Sequence, residues 1–165
     1  MVKGGDKLPG DYIAGFVDGE GCFYLTYRKE TRYEREGKPT YYRWLPYFAI
    51  NVRKDDINIL YGIKNTLKCG KIYILKKKII SQARYGIQNI DDVYNKVMPF
   101  FKQYPLRAKK KYDFELWVEA VGIVYKHKKY KRSYTKEEIK HLIDIRSQMR
   151  KYKSYMERGF KHHPE

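Results

Sequence analysis

Cysteine is scarce in this 165-residue chain: Cys22 and Cys69 are the only two. They cannot build a multi-disulfide framework or complete a four-ligand zinc cluster. No uncharged apolar run approaches the ~20 residues of a membrane span. The opening Met1-Val-Lys-Gly-Gly-Asp6 has no apolar signal region. These absences exclude a secreted disulfide scaffold and a membrane span, and the expectation is an intracellular protein. Histidine is also sparse, and His127, His141, His162 and His163 follow neither a His-Asn-His nor a zinc-ligand spacing. No repeat, Pro/Gly/Ser linker or low-complexity block divides the chain. Acids are few as well: 19 Asp plus Glu stand against 36 Lys plus Arg, a formal net charge of +17.

An excess of that size repels itself in a compact fold and points to a polyanion. Phosphate contacts convert such charge into salt-dependent affinity, so nucleic acid is the expected partner, and an acidic membrane surface is not. With 42% apolar and 16% aromatic residues, the chain is too rich for a disordered basic tail. The length suits one domain over residues 1–165, with a core at about 9–125 and a helical extension at about 126–165.

Tyr12 to Val17 reads as a short helix ending in the glycine-rich Asp18-Gly-Glu-Gly21. From Cys22 the period becomes two: Phe23, Leu25 and Tyr27 alternate with Tyr24, Thr26 and Arg28, the pattern of a half-buried strand. A second strand places Phe48, Ile50 and Val52 on one face and Tyr47, Ala49, Asn51 and Arg53 on the other. Asp55 and Asp56 open a helix with Ile59, Leu60, Ile63 and Leu67 at helical spacing, stopped at Cys69-Gly70. Lys71 to Leu75 and Ile79 to Ile87 form a second hairpin with Lys76, Lys77 and Lys78 at its tip. A helix over about 91–102 is broken by Tyr104-Pro105, and another runs from Arg107 to about Tyr125. Thr135-Lys-Glu-Glu138 is a capping-box pattern opening a last helix, with Ile139, Leu142, Ile143, Ile145 and Met149 as its apolar residues.

The order α-β-β-α-β-β-α predicts an α+β fold, a four-stranded antiparallel sheet with helices on its apolar face. The opposite face is expected to be open. It would carry Tyr24, Thr26, Arg28, Arg43, Tyr47, Asn51, Arg53, Gln82 and Arg84, whose long donors suit base edges in the major groove. A strand of ~11 residues spans ~36 Å, roughly ten base pairs. Lysines at the tip suit phosphate.

The stretch Ile13-Ala-Gly-Phe-Val-Asp-Gly-Glu-Gly21 carries the most information. Gly15 and Gly19 are four apart, so they share a helix face and allow a second backbone to approach. Asp18 and Glu20 sit at a helix C-terminus, where the dipole disfavours negative charge and a cation would offset the cost. A dinucleotide fingerprint fails for want of a third glycine and a preceding strand, and an EF-hand fails on spacing.

This stretch resembles the signature of the LAGLIDADG homing endonucleases, position by position from Ile13 to Gly21. The second strand, Leu60, Leu67, Gly70-Lys-Ile72, and Tyr104-Pro-Leu-Arg-Ala-Lys-Lys110 followed by Asp113-Phe114 are similar to further family segments. The resemblance implies a homing-endonuclease-like αββαββα core. It also implies cleavage of both strands of a long, nearly palindromic DNA target, leaving short 3′ overhangs. No second motif occurs in the chain, which implies a homodimer closed through Ala14, Gly15, Asp18 and Gly19. By the same resemblance Glu20 of each subunit binds Mg²⁺ or another divalent cation, with the Gly19 carbonyl as a further ligand. Lys110 best matches the family's basic catalytic residue, and Lys109 and Arg107 are the alternatives. A water-organising glutamine of some relatives falls on Val52 or Arg53. Other proteins of this fold are RNA maturases assisting intron splicing, or non-cleaving DNA-binding proteins, so intron RNA stands as an alternative partner. The compartment stays open between the cytoplasm of a prokaryote or archaeon and an organelle.

Overall fold

In a computed structural model of the chain, residues 5–76 and 80–159 are described, the side chains as far as Met149. Lys77 and Lys78, expected at a hairpin tip, lie outside the described residues, whereas Lys76 is exposed. The expected order of elements is present. Helix α1 spans Gly10–Glu20 and leads without a loop into strand β1, Gly21–Thr31, which pairs with β2, Thr40–Arg53. A short 3₁₀ turn, Lys54–Asp56, precedes α2, Ile57–Leu67, and the hairpin of β3, Lys71–Leu75, with β4, Gln82–Ile87. Then come α3 (Ile90–Asp92), a π-helical turn (Val93–Val97), α4 (Met98–Gln103), α5 (Lys110–Tyr130) and α6 (Lys136–Gly159).

The sheet is antiparallel throughout, in the order β1-β2-β4-β3. Pro46 lies within central β2, which would normally break a ladder. Its position explains the tolerance: the β2–β4 pairing ends at Phe48 with Ile87, so the edge of β2 beside Pro46 has no partner strand. Beyond that point β1 and β2 continue as a two-stranded arm to the pair Thr31 and Thr40.

The alternation in β1 holds for Phe23 and Leu25, whereas Tyr27 lies on the two-stranded arm and is 47% exposed. Phe23 is fully buried at the centre of an aromatic cluster, its ring centroid 5.2 Å from Phe48, 5.7 Å from Phe101, 5.2 Å from Phe114 and 5.0 Å from Trp117. Trp117 also donates its indole N–H to the Tyr24 carbonyl at 3.0 Å, tying α5 to β1. A buried aromatic side chain of this kind contributes about 3–5 kcal/mol against its alanine variant.

Two glycines are dictated by close approach. A Cβ on Gly21 would meet Val17 Cγ1 at 2.5 Å, so the direct turn from α1 into β1 needs glycine. Gly70 has φ +78°, and a Cβ there would stand 2.7 Å from Ile87 and Tyr85. The π-helical turn precedes Pro99, which lacks an N–H and crowds the carbonyl one turn back; the wider turn accommodates both effects.

Two boundaries are corrected. The long helix begins at Lys110 rather than Arg107, because residues 105–109 form a connection after Pro105, and it runs unbroken to Tyr130. Residue 126 therefore lies inside α5. In α6, Leu142, Ile145 and Met149 join the core, whereas Ile139 and Ile143 face outward, 39% and 55% exposed. The capping box is present as read: the Thr135 N–H donates to Glu138 Oε2 at 3.0 Å, and the Glu138 N–H to Thr135 Oγ1 at 3.1 Å.

Candidate active site and nucleic-acid interface

Ile13 and Val17 anchor α1 in the core and thereby aim its last turn outward. Asp18 Oδ2 accepts the Arg107 backbone N–H at 2.8 Å, and its Oδ1 is covered without a hydrogen-bond partner. Lys110 Nζ donates to the Val17 carbonyl at 3.0 Å and to the Gly19 carbonyl at 3.4 Å. The ammonium thus sits at the negative end of α1 and offsets both the dipole and Asp18. Burial pushes the Lys110 pKa down, against the opposing pull of Cys22, Asp18, Glu20 and Asp113. The three basic candidates separate here. Lys110 reaches the end of α1, Arg107 contributes its backbone N–H with its side chain exposed, and Lys109 is exposed outside this cluster.

Glu20, at the final position of α1, is exposed and has no hydrogen bond or ion pair among the described residues. It lines an open cleft of about 600 Å³ together with Phe16, Val52, Arg53, Asp55, Asp56, Asn58 and Ile59. The expected glutamine position falls in this cleft. Val52 cannot hydrogen-bond there, and Arg53 is clamped by Asp55 through Nε at 3.2 Å and Nη2 at 2.8 Å. A carboxylate and a backbone carbonyl are hard oxygen donors, the set that Mg²⁺ or Ca²⁺ prefers. Among the described residues no three His, Cys, Asp or Glu side chains gather closely enough to hold a metal ion. Glu20 and the Gly19 carbonyl supply two such oxygen donors, fewer than the six of a full Mg²⁺ shell.

Strand register assigns the outer face of the sheet. Tyr24, Thr26 and Arg28 of β1 align with Tyr47, Leu45 and Arg43 of β2, while Asn51 and Arg53 pair with Arg84 and Gln82 of β4. All nine expected residues share this face. They are not equally available. Tyr47 is only 8% exposed, packed with Leu45, Ala49 and Tyr24, so it supports the surface more than it offers one. Asn51 Oδ1 is covered and lacks a partner. Thr26 Oγ1 donates to the Leu45 carbonyl at 3.4 Å, and Arg43 is paired to Glu30 at 2.6 Å. Register adds residues that the sequence reading omitted: Lys71 and Tyr73 of β3 lie opposite Gly86 and Arg84, and Tyr41 lies opposite Glu30. All three are exposed. The period-two rule applied to β3 would have found Lys71 and Tyr73.

The free face of α1 is smaller than expected. A Cβ on Gly15 or Gly19 would meet nothing within 4 Å, and Tyr12 stacks on Phe16 at 6.4 Å beside them. Ala14, expected on this face, is instead buried in the chain's own core at 4% exposure. It lies one position from Gly15, about 100° around the helix, and points inward with Ile13.

Residues 13–121 match the model of the LAGLIDADG endonuclease family. This chain belongs to the LAGLIDADG endonuclease family. Its curated relatives include a probable intron-encoded DNA endonuclease of Mycosarcoma maydis, 32% identical over 67% of this chain and 36% of the relative. Another is the probable intron-encoded endonuclease Cox1-I1b of Schizosaccharomyces pombe, 29% identical over 68% of this chain and 27% of the relative. The chain thus spans about a quarter to a third of the length of the curated relatives it matches. Among solved structures, the homing endonuclease I-TnaI superposes with a TM-score of 0.69 at 28% identity, covering 87% of this chain and 88% of that one. The LAGLIDADG meganuclease I-AabMI, bound to uncleaved DNA, gives 0.66 at 30% identity, covering 84% of this chain and 43% of that one. The α+β homing-endonuclease fold expected for the LAGLIDADG motif is therefore the fold of this chain.

Proposed function

We propose that the protein is a site-specific homing endonuclease that makes divalent-metal-dependent double-strand breaks in long, nearly palindromic DNA, leaving short 3′ overhangs. The observation that carries this reading is the presence of an unengaged Glu20 carboxylate and the Lys110 ammonium at the same end of α1. A basic sheet of duplex-reading dimensions adjoins them. Names of the relatives, intron-encoded endonucleases among them, support the same activity. Among the described residues no helix is long and apolar enough to cross a membrane. The enzyme acts inside the cell, in whichever compartment holds the DNA bearing its target.

Two chains are needed for two strands. Gly15 and Gly19 leave room along α1 for a second backbone, and a two-fold axis there brings both Glu20 carboxylates together. Asp18 contributes at this seam by holding the 105–109 connection through the Arg107 N–H.

A divalent cation bound by Glu20 and the Gly19 carbonyl would supply Lewis-acid polarisation of the scissile phosphate and a reactive water. The chain's own groups do the rest. An ammonium has three donors, and the Val17 and Gly19 carbonyls take two of those on Lys110. The third is left for a phosphate oxygen, where the fixed charge stabilises the pentavalent transition state. Its lowered pKa also eases proton donation to the leaving oxygen. Arg53 is paired with Asp55 in the same cleft, so Lys110 carries the cationic role.

The test uses a plasmid carrying the intron-less target, incubated with Mg²⁺ and then with EDTA. Defined cuts that vanish on chelation support the nuclease. Binding of structured intron RNA without any cut would replace this reading with that of a maturase.

A further inference from the structure

The four arginines on the sheet face are in two different states. Arg43 is neutralised by Glu30 at 2.6 Å and Arg53 by Asp55 at 2.8 Å. Arg28 and Arg84 have no carboxylate partner among the described residues and lie on aromatic rings instead. Arg28 Cζ is 5.7 Å from the Tyr47 ring centroid; Arg84 Cζ is 5.8 Å from those of both Tyr24 and Tyr47. Those two rings form one platform, 4.5 Å apart and inclined by 11°. Tyr47 is nearly buried against Leu45 and Ala49, so the platform cannot swing.

A guanidinium on an aromatic face is held in place without using its hydrogen-bonding fork. One paired to a carboxylate shares donors and charge with that partner and is less available to a base edge. We infer that Arg28 and Arg84 are the specificity-determining residues of each subunit, each reading a guanine through O6 and N7, with the stacked Tyr24 and Tyr47 rings as their positioning residues. Arg43 and Arg53 are not base readers in this scheme. Because both guanidiniums lie over the Tyr47 ring, they are no more than about 12 Å apart. That separation is roughly three to four base steps of ~3.4 Å. Each half-site therefore contains two required guanines within that interval.

This inference rests on the DNA-cleaving reading above and deepens it. The experiment selects cleavable sites from a randomised duplex library with the wild-type protein, then repeats the selection with variants. Arg28→Gln and Arg84→Gln are each expected to relax one of the two guanine positions, lowering discrimination there by about ten- to a hundredfold. Other positions and the melting temperature should stay unchanged. Tyr47→Leu, which keeps apolar bulk against Leu45 and Ala49, should weaken both positions together. Tyr24→Leu should weaken only the position read by Arg84, because Arg28 does not lie over Tyr24. Defined cutting whose guanine preferences do not follow Arg28 and Arg84 overturns the inference and leaves the nuclease reading standing. Arginine variants that relax specificity beside tyrosine variants that change none overturn the platform. Failure to bind or cut any duplex overturns both the inference and the reading it rests on.

Discussion

Lys110 Nζ lies 3.0 Å from the Val17 carbonyl oxygen, so residues 93 positions apart join the start of α5 to the last turn of α1. This contact brings the ammonium beside the acidic end of the motif helix. Replacing Lys110 by Met should lower the cleavage rate by about 10²–10³-fold, the usual cost of one fixed donor at a developing charge. Duplex affinity should change little. Lys110→Arg should not restore the rate, since a planar fork does not fit two carbonyls arranged for a point charge. Single-turnover cleavage alongside equilibrium binding checks both statements, and near-wild-type cutting by Lys110→Met would remove Lys110 from the mechanism.

Glu20→Gln keeps the shape of the side chain and removes the charge that a divalent cation requires. Cleavage is expected to disappear while binding to the same duplex persists. Retained cutting, or loss of binding together with cutting, would contradict the assigned role.

Gly15 has open space where a side chain would project, so Gly15→Leu should leave the folded subunit intact or slightly more stable through better helix propensity. In the proposed dimer that space is the seam. Sedimentation or light scattering should report a dimer for the wild type and a monomer for the variant, with cleavage lost. A dimeric Gly15→Leu protein would place the interface elsewhere.

Burial and then the nearby Arg132 charge push the His127 pKa below its usual value. Its ring stacks on Tyr134 at 3.9 Å, and its Nδ1 is covered without a partner. The folded state favours the neutral ring, so this contribution is fully present above pH ~6.5 and is lost as pH falls through the folded value. His127→Phe preserves the stack without a titrating group. Its denaturation midpoint should vary less between about pH 7 and pH 5 than that of the wild type.

Tyr85 is fully buried and donates its hydroxyl to the Cys69 carbonyl at 2.8 Å, just before the turn at Gly70. Tyr85→Phe leaves that acceptor unsatisfied and should lower stability by about 1–3 kcal/mol in a denaturant titration. Cleavage at low temperature should be unaffected.

Much of the fold was legible in the chain because the signals are local. Period-two alternation around Phe23 and Phe48 and the Thr135–Glu138 cap depend on neighbours within a few residues. The start of α5 was misplaced because Arg107 and Lys109 are good helix formers, and nothing local reveals that the Arg107 N–H is bonded to Asp18 instead. Ala14 was misassigned because small residues suit a helix seam and a crowded core equally well.

The sequence alone determined the family, the α+β order, the surplus of positive charge and the identity of the motif acid, Glu20. All of these reside in residue type and spacing. Only the tertiary structure decided which lysine meets the end of α1, which arginines are cancelled by carboxylates, and which face of α1 is left open. Those are properties of pairs far apart in the chain, set by how helices cross a twisted sheet, and no local pattern encodes them.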